Sequence, residues 1–263
     1  MLTPVFALKL ALVCAVVLGA SFAARRFGHR VAGTLSGMPM IAGPIMGFVL
    51  LQSPPAQAQA IALATVVAFP AMVSHMLAFA HAVRRMPWWA AWGAANAVFL
   101  AVGSLLLWLH LPALPACVLA ALSLWAGLRL MPAHRRERTV LHIPAIELVL
   151  RVAAAAALAA AIMLGAALFP AAISGLLLAL PITGNVLPCF TRVRHGADAT
   201  IELLSGFVQG MAGFATLFIV LVIALPVLGA GPSCALAWAV TLAVAWVLQR
   251  RRAAWTVPAV AVD

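Results

Sequence analysis

Long apolar runs separated by short gaps make up almost the whole of this 263-residue chain. Each run is close to the roughly 20 residues that an α-helix needs to cross a hydrocarbon core about 30 Å thick. Only 8% of the residues are charged, whereas about a quarter of a soluble globular domain is charged. The pattern predicts an all-α, polytopic transmembrane helical bundle of about nine spans. The runs are 4–24, 31–52, 56–83, 88–109, 112–130, 145–169, 170–190, 198–226 and 230–249.

The basic residues occupy alternate gaps between these runs. Every Lys and Arg except Lys9 falls on the same side of the membrane when the runs are threaded in order. Because cytoplasmic loops are enriched in Lys and Arg, the alternation predicts an N-terminus outside and a C-terminus in the cytoplasm. The residues that carry the alternation are Arg25, Arg26, Arg30, Arg84, Arg85, Arg129, Arg135, Arg136, Arg138, Arg151, Arg192, Arg194, Arg250, Arg251 and Arg252.

The net charge of +11 predicts a partner with negative charge. Since the arginines lie in short loops beside apolar runs, that partner is expected to be the anionic lipid headgroups of the bilayer, and no nucleic acid. The excess of Arg over Lys, with abundant Ala, is typical of a bacterial sequence, so the bacterial inner (plasma) membrane is the expected location. Assembly into a homo-oligomer stays open.

The ionisable residues do not form a catalytic set. The chain has only five acidic residues, no phosphate-binding loop and no Gly-x-Ser-x-Gly motif. Its cysteines lie far apart inside apolar runs, where thiols usually behave as small hydrophobic groups. The sequence therefore predicts no enzymatic activity, no cofactor and no metal site.

A short motif occurs twice along the chain. Ser-Gly, six residues and Pro-Ile-Met-Gly over 36–47 recur as Ser-Gly, five residues and Pro-Ile-Thr-Gly over 174–184. One run directly precedes the run that contains each copy, and a longer run directly follows it. An odd number of connecting spans would invert the second copy, and opposed repeats of this kind build many secondary transporters. The alternative is that both motifs are ordinary transmembrane helices that contain Gly and Pro.

The duplication predicts a domain organisation. Residues 1–110 form transmembrane repeat 1, and 111–144 form a connector helix with a basic cytoplasmic loop. Residues 145–252 form transmembrane repeat 2, of inverted topology, and 253–263 form a C-terminal tail.

The second repeat resembles a known family. The stretch Ser-Gly-Leu-Leu-Leu-Ala-Leu-Pro at 174–181, the basic stretch 192–196 and the long Gly-bearing run after it are similar to the small bacterial GlpM-like membrane proteins. The resemblance is good over 145–249 and weak over 4–109. It implies an inner-membrane location and four-helix units, here two of them fused, but it implies no reaction.

The repeated motif supplies the first candidate site. A proline inside a helix removes a backbone donor and displaces a carbonyl, and such breaks within a membrane often line a binding site. The runs 31–52 and 170–190 are therefore predicted to be broken or kinked in the membrane. The alternative is a packing kink at which Gly permits a close helix approach. The candidate pathway residues here are Ser36, Gly37, Pro44, Gly47, Ser174, Gly175, Pro181, Thr183 and Asn185.

A polar stripe on the run 198–226 supplies the second candidate site. Glu202, Ser205, Gln209 and Thr216 share one helix face. Three glycines flank this stripe and would let another helix pack closely: Gly206, Gly210 and Gly213. A carboxylate inside a span is costly and suggests a proton or cation site. The alternative is an ion pair with the nearby loop arginines at the interface.

The run 56–83 carries weaker candidates. Ser74 and His81 lie on one face, with His75 turned about 100° away. A histidine in a membrane could relay protons, but His81 lies near the cytoplasmic surface, where hydrogen bonding is the plainer role.

Three further polar residues are predicted to be structural. Asn96 is isolated in an apolar run, which is typical of a hydrogen bond between helices. Glu147 and Arg151 are four residues apart, which predicts a local ion pair.

These features predict a small-molecule or lipid transporter that works by alternating access between two opposed repeats. The alternative is a non-transporting membrane scaffold or regulator of envelope or polysaccharide assembly. Only the transporter needs a solvated cavity between the runs 31–52, 56–83, 170–190 and 198–226.

Overall fold

The computed structural model describes residues 4–40, 42–52, 54–134, 144–168 and 180–253. Within these ranges the chain is helical, and no strand occurs among them. The helices are α1 (Pro4–Phe27), α2 (His29–Gly37), α3 (Ala42–Gln52), α4 (Pro55–Ala82), α5 (Trp88–Trp108), α6 (Ala113–Leu130), α7 (Ala145–Leu168), α8 (Ile182–Leu228) and α9 (Ala230–Ala253).

Among the described residues, six helices are long and apolar enough to cross a membrane: α1, α4, α5, α6, α8 and α9. Large apolar side chains such as Trp108, Leu114 and Trp125 point away from the protein interior. Exposed apolar surface on this scale is what lipid-facing helices present. The chain is therefore a helical, multi-pass membrane protein, while the nine spans and the inverted repeats stay predictions.

The predicted span 31–52 is divided between two helices. α2 ends at Gly37, and Met38 has an extended backbone with φ −71° and ψ 159°. The ring of Pro39 disfavours the helical conformation for the residue before it, which explains why α2 stops there. Pro44 was expected to cause the break, but it lies in the first turn of α3, where a missing backbone donor costs nothing.

The described part of the predicted span 170–190 and the span 198–226 both lie in α8, which consists of two helical segments separated at Gly196, where the backbone is not helical (φ 82°, ψ −172°). The stretch between them was expected to be a basic loop; the structure keeps the chain helical up to this glycine, so the connection is shorter than expected. Glycine tolerates this left-handed conformation because it has no Cβ. Pro181 precedes the first residue of α8, so it begins this helix and does not kink it.

The protein interior has two apolar clusters that share α8. The larger one lies among α4, α5, α6 and α8 and includes the fully buried rings of Phe69, Phe79 and Phe99. The smaller one joins α1, α7 and the part of α8 before the kink, through residues such as Val17 and Leu187. Between lipid-embedded helices such contacts stabilise by close packing and dispersion.

Glycines bring α2 against α8 at backbone distance. A Cβ added at Gly206 would overlap the Arg30 carbonyl oxygen, and one at Gly210 would overlap that of Thr34. From the other side, a Cβ at Gly33 would overlap the Leu203 carbonyl oxygen. The predicted close helix approach is confirmed at Gly206 and Gly210, and the helix that approaches is α2. It does not extend to Gly213, where an added Cβ would meet only side-chain atoms of Thr241 and Pro39 at 3.5 Å or more.

Candidate functional site

The basic segments predicted to face one side of the membrane contact one another. Arg84 on the α4–α5 turn pairs with Asp198 at 2.9 Å and also donates to the Ala133 carbonyl oxygen after α6. Arg192 Nε donates to the Val83 carbonyl oxygen at 3.1 Å. These contacts place the ends of α4 and α6 and the kink of α8 on one surface, which is called the basic face below.

The basic face also includes the start of α2. Arg30 Nε donates to Gln209 Oε1 at 3.2 Å, and the rings of His29 and His195 lie 4.9 Å apart. His81 Nε2 lies 3.0 Å from the Leu130 carbonyl oxygen, so this exposed histidine connects α4 to the end of α6. The hydrogen-bonding role expected for His81 is confirmed.

A buried ion pair anchors α7 at this face. Arg151 donates to Glu147 Oε1 from Nε at 3.1 Å and from Nη2 at 2.6 Å, and both side chains are almost fully buried. Glu147 Oε2 lies 3.1 Å from Arg194 Nε of α8, as an ion pair without hydrogen-bond geometry. The predicted local pair between Glu147 and Arg151 is confirmed, and Arg194 extends it to a second helix.

His29 makes the stability of this region sensitive to pH. It lies two residues before the predicted span 31–52, and burial, His195 and Arg151 together lower its pKa to about 4. The unfolded chain binds a proton near pH 6.5 and the folded chain does not, so stability falls as the pH falls between these values. We expect a loss of about 3 kcal/mol between pH 6.5 and 4.

The measurement is the melting temperature of the purified protein in detergent across this pH range. His29→Gln removes the titrating group, so the difference between wild type and variant isolates its contribution. An identical pH dependence in both proteins would contradict the assignment.

A cavity of about 380 Å³ opens on the basic face. Polar side chains of α2 and α8 line its inner wall, and the residues after α6 line the other side. The polar lining comes from Arg30, Ser205, Gln209 and His134. Two members of the predicted polar stripe, Ser205 and Gln209, thus face the same space, while Glu202 is partly buried on the same helix.

Deeper in the protein, hydrogen bonds of polar groups join α8 to α5 and to α2. Asn96 Nδ2 of α5 donates to Asn185 Oδ1 of α8 at 2.8 Å, and Asn185 Nδ2 donates to the Pro181 carbonyl oxygen at 3.0 Å. Thr183 Oγ1 makes a long hydrogen bond of 3.4 Å to the Ser36 carbonyl oxygen, next to the end of α2. The contact predicted for Asn96, a hydrogen bond between helices, is confirmed.

His75 of α4 completes this group. Its ring packs edge-on against Phe99 with centroids 6.3 Å apart, and it lies beside backbone groups of Ala95 and Gly184. The side chain is 0% exposed, and neither ring nitrogen has a hydrogen-bond partner among the described residues. Ser36, His75, Asn96, Thr183 and Asn185 are called the midplane cluster below.

The depth of the midplane cluster follows from helix geometry. Ser36, His75, Asn96 and Asn185 lie about 10–16 Å from the helix ends at the basic face, at a rise of about 1.5 Å per residue. Half the thickness of a hydrocarbon core is about 15 Å. Threading the helices with the basic face at the edge of the hydrocarbon core would place the cluster in its interior, where an unsatisfied polar group is costly.

The predicted candidate residues divide into three groups. Ser36, Gly37, Pro181, Thr183 and Asn185 come together at the midplane cluster, although Gly37 serves to bring α2 against Phe207. Ser205 and Gln209 belong to the basic-face cavity.

The remaining candidates lie elsewhere. Pro44 and Gly47 are in α3, a Cβ at Gly47 would meet open space, and Ser74 is partly buried on α4. Ser174 and Gly175 lie outside the described residues.

Two members of the cluster, His75 and Asn96, are not among the pathway residues that the sequence predicts. In the sequence, His75 lies on a different face from Ser74 and His81, and Asn96 is isolated in its run. The available signal was a polar residue at a similar depth in each of three apolar runs. This signal can be used only when it is known which helices are neighbours, and a single sequence does not show that.

No family model matches the chain, and comparisons with curated proteins and with solved structures find no match. The resemblance to GlpM-like proteins therefore stays a prediction from the sequence.

Proposed function

We propose that this chain is a transporter of the bacterial inner membrane that moves a small molecule or lipid by alternating access, with the midplane cluster on its pathway. In the same proposal the chain has nine spans, the N-terminus faces out, and two inverted GlpM-like units are fused. Contacts of Arg30 on α2, Arg84 after α4 and Arg192 on α8 bring these basic segments to one face, which supports that threading.

One observation carries the proposal: in the apolar interior, Asn96 bonds to Asn185 and Thr183 bonds to the Ser36 carbonyl oxygen, next to a fully buried histidine without regular hydrogen bonds. Polar groups inside a membrane are costly, and they commonly mark a substrate or ion pathway. The break between α2 and α3 at Met38 and the start of α8 at Pro181 border this cluster, as the discontinuous helices of transporters border their binding sites.

The basic-face cavity supplies the access route on one side. It reaches Gln209, which is bonded to Arg30 at the start of α2, while the midplane cluster begins near the other end of that short helix. A shift of α2 along α8 would connect this cavity to the midplane cluster. In the described conformation the cluster is packed, which corresponds to an occluded state.

A specific observation favours the alternative, a scaffold or regulator of envelope assembly. The glycine contacts between α2 and α8 leave no space between the two backbones. Near them, a pocket lined by Thr34, Met38 and Gln209 holds only about 20 Å³, about the space of one water. If α2 never moves, the midplane stays dry.

Accessibility of single cysteines decides between these functions without knowledge of the substrate. In a background that lacks Cys14, Cys117, Cys189 and Cys234, Ser36→Cys and Thr183→Cys are treated with a charged, membrane-impermeant thiol reagent. Right-side-out and inverted vesicles expose the two faces in turn. Alternating access predicts that both cysteines react from both faces.

Two control variants calibrate the rates. Ser205→Cys lines the basic-face cavity and should react from that face alone, whereas Ala120→Cys is fully buried in the core and should not react. If both midplane cysteines are as inert as Ala120→Cys from either face, the scaffold replaces the transporter.

A further inference from the structure

The isolation of His75 calls for an explanation. In the described parts of the structure its ring is surrounded by Phe79, Phe99 and backbone groups of Ala95 and Gly184, and neither ring nitrogen makes a hydrogen bond of regular geometry to them. Asn96 and Asn185, which could offer partners, are bonded to each other. Leaving a buried donor and acceptor unpaired costs about 1–3 kcal/mol for each group.

Packing alone does not account for a histidine here. An apolar side chain of similar volume, such as Met, would fill the same space against Phe99 and leave nothing unsatisfied. Buried polar residues that lack partners occur at sites where the polar group functions in another conformation of the protein.

Among the described residues, no ion pair or regular hydrogen bond joins the imidazole of His75 to a charged side chain. α3 and α5 carry no ionisable side chain in their described residues. Of the charged residues of α6 and α8, Glu202 lies deepest, six residues past Gly196. The ionisable side chains on the helices packed against α4 are Cys117, Arg129, Cys189, Arg192, Arg194, His195, Asp198 and Glu202.

We propose that His75 is the residue that binds the coupling proton of this transporter. The inference rests on the proposed transport function and identifies its coupling ion. In the packed state the ring is neutral, because charging it would bury a cation with no counter-ion beside it. When the Asn96–Asn185 hydrogen bond opens, water and the freed amide oxygen of Asn185 can solvate an imidazolium ion.

The proton balance is simple. A ring nitrogen lone pair of His75 takes one proton from water on one side of the membrane, and the N–H bond breaks to release that proton to water on the other side. No other reactant is needed. Protonation then favours the conformation in which the ring is hydrated. It does so because the proton binds more tightly to that conformation than to the packed one.

The test measures the conformational equilibrium directly, in full-length Thr183→Cys protein in vesicles at equal pH on both sides. The measured quantity is the ratio of the labelling rates from the two faces. Ionisation of the thiol changes both rates by the same factor, so it does not change this ratio. With His75 present, we expect this ratio to change by up to about tenfold between pH 5 and 8 for a tenfold difference in proton affinity between the two states, because a ligand shifts an equilibrium by no more than that difference. His75→Gln and His75→Met should both remove the change.

His81→Gln is the matched control, since it alters a histidine of the same helix at the basic face and should keep the change. His75→Met fills the same space without a polar group, so its labelling ratio can be measured even if the glutamine variant does not fold. A ratio that is independent of pH in the parent, or a pH dependence that survives both His75 variants, overturns the inference while transport stands. If Thr183→Cys reacts from neither face, the transport function fails and this inference fails with it.

Discussion

Gly206→Ala is expected to separate α2 from α8 and to lower the stability of the whole bundle. A Cβ at this position would overlap the backbone carbonyl oxygen of Arg30, and a backbone atom cannot move aside as a flexible side chain can. In most helices the same substitution stabilises by up to about 1 kcal/mol because alanine has the higher helix propensity. Here we expect a loss of about 3 kcal/mol from overpacking.

The measurement is the melting temperature of the purified variant in detergent, with a decrease of about 10 °C expected for a chain of this size. Gly93→Ala in α5 is the control, because a Cβ there would meet open space. It should leave the melting temperature unchanged or raise it. A Gly206→Ala protein as stable as the control would show that the two backbones are not in contact.

The glycine interface illustrates what the sequence could predict. The spacing of Gly206 and Gly210 indicated one smooth helix face, and that face exists. The sequence did not indicate its partner, because small residues permit a close approach by any helix. The partner is identified by Gly33 and Gly37 of α2, whose spacing matches only once the two helices are side by side.

The helix breaks show a second limit. The sequence indicated a break in the span 31–52, and the structure contains one, but Pro39 and not Pro44 determines its place. Both prolines disfavour the helical conformation in the residue before them, but Pro44 lies in the first turn of α3, where a proline is tolerated and Gly43 before it is helical. Which of two neighbouring prolines acts depends on where the chain must turn, and tertiary packing decides that.

The midplane cluster was predictable in part. The repeated motif pointed to Ser36, Thr183 and Asn185, which do come together. His75 and Asn96 belong to other runs, and only the lateral order of the helices brings them to the same place. Hydropathy and charge define depth and sidedness, but they contain little information about which helices are neighbours.

Glu147→Gln is expected to be the most destabilising change of a charged residue at the basic face. The glutamine keeps the shape of the side chain but removes the negative charge that faces Arg151 and Arg194. Arg151 is only 2% exposed, so its guanidinium would stay buried without a counter-ion. Breaking a buried pair by removing one partner costs about 3–5 kcal/mol.

Asp198→Asn is the matched control, since it removes a carboxylate from an ion pair at the same face. The side chains of Arg84 and Asp198 are 44% and 36% exposed, so water screens the pair. Exposed pairs contribute about 0–1 kcal/mol, and the control should melt close to the wild-type temperature.

A double replacement distinguishes two causes of the lost stability: the missing attraction between Glu147 and Arg151, and the burial of the Arg151 charge without a counter-ion. Glu147→Leu combined with Arg151→Met removes both buried charges, and Arg194, half exposed, can turn to water. Because well-packed apolar pairs often replace buried ion pairs without loss, this variant should recover most of the stability that Glu147→Gln loses. If the double variant is no more stable than Glu147→Gln, the carboxylate acts through more than charge compensation of Arg151, and the link to α8 through Arg194 would be the part that holds α7 in place.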